Sequence, residues 1–143
     1  MSEKFKAYVG NKSKYFEDCI EAARFLDFAS VTQSPHFTQL EALDSSHVPT
    51  IFTIFRMGEF ELMSQMGLQL KQILHAEQEY DYFEVLKPDL KIRYQTELQS
   101  VHKKEGKNGS LYFMIFSTAV ERTLDKTVLA QVRSTMVYRE NPS

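Results

Sequence analysis

The sequence predicts an α+β domain in which a bent antiparallel sheet wraps around a single apolar helix. Three observations carry that expectation. The segment from Thr50 to about Met66 is too apolar for a helix with one wetted face. Four long segments in the second half are rich in β-branched and aromatic residues and partly alternate in polarity. The breaks between those four are short enough for antiparallel connections.

Taken in order, Lys14 to Cys19 reads as a short strand. Glu21 to Ala29 reads as a helix, with Ala22, Phe25, Leu26 and Ala29 at helical spacing and Glu21 favourable in the first turn. Ser34-Pro35 breaks that pattern, and a polar loop runs on to Val48. Pro49 suits a position just ahead of a first turn, Thr50 is a candidate N-cap, and Gly67 is a natural stop. Between them Ile51, Phe52, Ile54, Phe55, Met57, Phe60, Leu62, Met63 and Met66 predict a central helix buried nearly all round.

The strands are then expected at Ile73–Phe83, Leu90–Val101, Leu111–Thr123 and Val128–Val137. Lys87-Pro88-Asp89, Glu105 to Gly109 and Leu124-Asp125-Lys126 separate them. An open sheet leaves edge strands that the helix does not cover, so pairing with a second copy or another partner is expected.

At 143 residues the chain is expected to form one domain, 1–143, large enough to bury a core. Its 17 basic and 19 acidic residues leave a formal charge of −2, which would recruit neither nucleic acid nor an anionic membrane. Lys103, Lys104 and Lys107 gather around Gly106 and Gly109. They read as a solvated hairpin tip, with phosphate binding as the alternative. Cys19 is alone, which precludes an intrachain disulfide and fits a reducing compartment. Met1 to Lys6 lacks the apolar run of a signal peptide, and no stretch reaches membrane-spanning length, so a cytoplasmic protein is expected. Four scattered histidines and one cysteine point to no metal site, and no motif calls for a cofactor.

Four segments resemble the MaoC-type dehydratases of the hotdog superfamily, in particular the N-terminal dehydratase domain related to type I fatty acid synthase. Ala22 to Ala29 resembles the helix that precedes the family's active loop. Val48-Pro49-Thr50-Ile51-Phe52 resembles its Ala-Pro-Pro-Thr-Phe entry to the central helix. Leu74-His75-Ala76-Glu77-Gln78-Glu79-Tyr80-Asp81-Tyr82 resembles its Leu-His-Gly-Glu-Gln-Glu-Phe strand, and Arg133 to Arg139 completes the set. The resemblance implies a single hotdog fold. It also implies acyl thioesters of coenzyme A or acyl carrier protein as ligands, interconverted between (3R)-3-hydroxyacyl and trans-2-enoyl forms.

Catalytic members of the family carry a loop resembling Gly-Asp-x-Asn-Pro-x-His. There an aspartate and a histidine flank one water as general acid and base. A backbone N–H at the start of the central helix holds the thioester oxygen. Laid on Val31-Thr32-Gln33-Ser34-Pro35-His36-Phe37, that loop puts Thr32 at the aspartate and Phe37 at the histidine. Neither side chain exchanges a proton near neutral pH. Heterodimeric members of the family divide the labour in this way. One hotdog subunit lacks the catalytic pair and shapes the acyl channel, while its partner supplies the aspartate and histidine. The resemblance therefore implies a non-catalytic half, working as a heterodimer with a catalytic hotdog subunit, or else a homodimer.

Other candidates stand beside that reading. His36, one residue early, is a displaced catalytic histidine or an ordinary loop histidine. His75 and Glu77 lie two apart on an expected strand and so share a face. They suit an acid–base pair, two metal ligands, or a hydrogen-bonded pair buried at a subunit contact. His47 precedes the central helix near the expected thioester site. Thr50, Ile51, Phe52, Phe55 and Met57 are the candidate substrate-binding residues. With Phe60, Met63 and Met66 the apolar ones among them are either core or the wall of an acyl tunnel.

Overall fold

The structure is a computed structural model and describes residues 4–19, 55–84, 86 and 89–140. Five strands, β1 (Phe16–Cys19), β2 (Ile73–Tyr82), β3 (Lys91–Gly106), β4 (Gly109–Arg122) and β5 (Val128–Glu140), form one sheet. Its order is β1-β3-β4-β5-β2, and every neighbouring pair is antiparallel. One helix, α1 (Met57–Gln65), is described, and it packs on β3. The expected α+β architecture is what the chain adopts. Among the described residues no helix is long and apolar enough to cross a membrane.

β3 and β5 run further than the alternation suggested, to Gly106 and Glu140. β3 continues to Gly106 and β4 begins at Gly109, so only Lys107 and Asn108 make the turn. Gly109, at φ 121°, takes a backbone conformation that side chains disfavour. From Tyr112 to Glu121, β4 alternates strictly between buried and half-buried residues, as a strand with one covered face does.

The central helix departs from expectation in two respects. Its expected start at Thr50 lies outside the described residues, but Phe55 has φ 63° and Arg56 is the N-cap, so α1 itself opens at Met57. Phe55 is nevertheless buried, edge-on to Tyr94 with ring centroids 5.4 Å apart. Packing of that ring offsets a left-handed backbone costing roughly 1–3 kcal/mol. The helix is also not buried all round. Gly58, Glu59, Leu62 and Met63 face the sheet, while Met57 is 54% and Phe60 43% exposed. Phe60 lies under the Arg56 guanidinium, 5.3 Å from its ring centroid.

Two apolar clusters fill the inward face of the sheet. One contains Phe55, Ile92, Tyr94, Val120, Leu129 and Val132. The other contains Leu62, Met63, Leu98, Phe116, Met114 and Met136, closed at the chain's start by Phe5 against Tyr112 and Tyr138.

Candidate functional site

A belt of polar side chains is buried under the first turn of α1. Thr96 on β3 and Thr118 on β4 are opposed in register, both fully buried, with their hydroxyls 2.7 Å apart. Ser13 joins them, its Oγ accepting from the Thr96 N–H at 3.0 Å. Gly58 is what lets the helix descend onto this belt. A Cβ at that position would stand 2.3 Å from Thr96 Oγ1 and 2.8 Å from Ser13 Oγ.

The belt continues through a charge. Glu59, third residue of the helix and fully buried, takes two hydrogen bonds on Oε1 from Arg56, at 3.1 Å from Nε and 3.0 Å from an Nη. Ser134 of β5 donates to Glu59 Oε2 at 2.5 Å, a length typical of a hydroxyl on an ionised carboxylate. Ser134 Oγ also stands 2.8 Å from the Gln78 side-chain Oε1, on the neighbouring strand β2. A serine has a single proton to give, and Glu59 holds it. The Gln78 Nε2 as placed is buried without a hydrogen-bond partner among the described residues. A half-turn of the amide resolves both problems, since Nε2 then donates to Ser134 Oγ. The chain Arg56–Glu59–Ser134–Gln78 thus ties the start of the helix to the edge strand. Charges inside the apolar pattern of Phe55 to Met66 were the sequence signal for it, without marking Glu59 as the buried one.

Tyr94 lies beside this turn and is 3% exposed. Burial pushes its hydroxyl above the ordinary 10.0, a hydrogen bond with the Met57 backbone works against that, and the Asp18 and Glu59 carboxylates reinforce it. A raised tyrosine pKa stabilises the fold fully below the ordinary value and is lost as pH climbs past it. Tyr94→Phe is therefore expected to flatten the loss of stability above about pH 10. Urea midpoints for both proteins from pH 8 to 11 would show this, and parallel curves would contradict it.

Of the sequence candidates, Thr32, His36, Phe37, His47, Thr50, Ile51 and Phe52 lie outside the described residues, as does the helix expected at Glu21–Ala29. Phe55, Met63 and Met66 pack in the core. Met57 points out toward solvent instead of lining the interior.

His75 and Glu77 do not share a face. A bulge at Ala76 pairs His75 with Met136, an inward residue, and Glu77 with Thr135, on the outer face. An extra residue between them reverses the two-residue alternation, so the structure does not bring the pair together. Both are exposed in the single chain.

Glu77 instead borders a shallow groove of about 210 Å³ on the outer face, with Glu79, Ile115, Arg133 and Thr135. A second pocket, of about 530 Å³, lies at the end of β1 between Asp18, Cys19, Lys91 and Thr123. At the hairpin tip Lys103 pairs with the exposed Glu105 at 2.9 Å. Hydrogen bonds from Lys103 and then Ser110 hold the Glu105 carboxyl below its ordinary value.

An antiparallel five-stranded sheet in this order, with α1 packed on one of its faces, is the hotdog fold. The family model for the FAS1-like dehydratase domain region matches residues 7–131, and the chain belongs to that family. No curated protein matches the chain in sequence.

Solved structures share the fold. The HadBC (3R-hydroxyacyl-ACP dehydratase) complex from Mycobacterium tuberculosis is 13% identical, with a TM-score of 0.67 over 90% of this chain and 96% of that one. The ChsH1-ChsH2 complex from the same organism is 12% identical, with a TM-score of 0.64 over 98% and 90%. A MaoC-like dehydratase from Rhodospirillum rubrum is 12% identical, with a TM-score of 0.57 over 94% of each chain.

Proposed function

We propose that this chain is the non-catalytic, acyl-channel-forming subunit of a (3R)-hydroxyacyl thioester dehydratase or enoyl hydratase. It binds an acyl-CoA or acyl carrier protein thioester, while a second hotdog subunit supplies the aspartate and histidine. The observation that carries the reading is the pair Thr32 and Phe37, which stand where the family's proton-transferring residues belong. Membership of the dehydratase family supports the ligand class. The similar HadBC and ChsH1-ChsH2 structures are complexes of two named components, which supports the division of labour. Separation of His75 from Glu77 by the Ala76 bulge weighs against a substitute acid–base pair on β2. The exposed, unpaired thiol of Cys19 accords with a cytoplasmic setting.

Hydration of crotonyl-CoA is the test. The purified chain is expected to show no turnover alone. Mixed with a hotdog subunit carrying an intact Asp/His loop, it should support turnover and extend it to longer enoyl chains. Turnover by the chain alone that vanishes in His36→Ala or His75→Ala would establish an active hydratase instead. Tight acyl-CoA binding with no turnover in any pairing would establish a non-enzymatic binding homodimer.

A further inference from the structure

β2 forms one edge of the sheet, paired with β5 on one side and with no other strand among the described residues. A ten-residue edge with no further strand on it among the described residues presents a row of main-chain donors and acceptors that another strand can complete. The side chains on that edge constrain which strand.

Beyond the Ala76 bulge, every outward position of β2 is acidic. Glu77, Glu79 and Asp81 stand opposite Thr135, Arg133 and Gln131 of β5, and all three are exposed. Arg133 is the cation that faces them from β5, 2.9 Å from Glu79 and 3.9 Å from Asp81. Glu77 takes part in no ion pair among the described residues. One guanidinium against three carboxylates leaves the strip negative. Leu74 and Phe83 flank the strip, 67% and 62% exposed.

Residues directly opposed across an antiparallel pair lie on the same face, so a two-fold pairing of β2 with itself must join residues of equal parity. A two-fold axis at Gln78 sets Glu77 against Glu79. An axis at Glu79 sets Glu79 against its own copy and Glu77 against Asp81. An axis at Tyr80 sets Glu79 against Asp81. Each in-face register across this segment opposes carboxylates, and directly opposed like charges destabilise a sheet.

We infer that the free edge of β2 is built to pair with a different chain, one whose edge strand carries basic outward side chains between apolar ends. A second copy of this chain is the disfavoured partner. The inference deepens the subunit reading above, but its test reads association alone and stands or falls without turnover.

The probe is a charge-reversed copy of the same protein, Glu77→Lys with Glu79→Lys and Asp81→Lys. Parity then places lysine opposite carboxylate when this variant meets the unaltered chain. Analytical ultracentrifugation in low salt is expected to show a mixed dimer at least about tenfold tighter than self-association of either protein. The preference should collapse in 1 M salt, where screening acts within about 3 Å.

An isosteric variant, Glu77→Gln with Glu79→Gln and Asp81→Asn, covers the case in which the lysine protein fails to fold. It should self-associate more tightly than the unaltered chain. Self-association of the unaltered chain as tight as the mixed dimer, or unchanged in the amide variant, would overturn the inference.

Discussion

Glu59→Ala is expected to destabilise the domain by about 3–5 kcal/mol, a large share of the roughly 5–15 kcal/mol that holds a domain folded. The carboxylate is fully buried and the Arg56 side chain only 14% exposed. Truncation leaves a guanidinium facing a cavity and removes the acceptor of the Ser134 hydroxyl. Glu59→Gln keeps the shape and one acceptor, so it should cost less. Replacing both charges with apolar groups, Arg56→Met with Glu59→Leu, should cost less still, because no charge is then stranded. Urea unfolding of the three variants measures the ordering. A cost below about 1 kcal/mol for Glu59→Ala would mean that the ion pair does not hold the helix in place.

Gly58→Ala is the second large effect, and it acts through space alone. The added methyl would sit 2.3 Å from Thr96 Oγ1 and 2.6 Å from Thr96 Cβ, closer than any real contact. Thr96 has nowhere to turn, since its hydroxyl is bonded to Thr118 at 2.7 Å inside a fully buried belt. The helix must lift, at a cost of about 1–3 kcal/mol or more. Alanine favours helices over glycine by up to about 1 kcal/mol, so on an open face the same change would stabilise. The sign of the measured change therefore decides between propensity and packing. Gly58→Ala combined with Thr96→Ala should recover part of the loss, because Thr96 Oγ1, the nearest obstructing atom, is then gone.

What could be read from the sequence follows from where each signal is written. Strand alternation is local, so Ile73–Tyr82 and Gly109–Arg122 were legible within a residue or two. The start of α1 was not. Thr50 looks like an N-cap in sequence, but the left-handed Phe55 is imposed by its seat against Tyr94, a contact made across the fold. The bulge at Ala76 was equally hidden, since a single extra residue leaves composition and spacing intact while putting His75 and Glu77 on opposite faces. Glu59 is one of three charges in an apolar segment, with Arg56 and Glu61, and nothing in the sequence marks it as the buried one. Its partner Ser134 becomes apparent only once α1 lies over β5, and Gln78 only once β2 lies beside β5.

The strand order also dictates a sequence of events in time. β3, β4 and β5 are consecutive, and the turns that join them are short, so their pairing closes small loops. β2 joins the sheet by pairing Ile73 with Tyr138, and β1 by pairing Phe16 with Tyr94, each across a long stretch of chain. Loop closure grows more costly with that separation, so the β3–β4–β5 meander is the natural nucleus and both outer strands dock afterwards. The amides of β2 should accordingly exchange with solvent before those of β4. The strand with the acidic strip is then one of the two late parts of the sheet, still adjustable when the central meander is rigid.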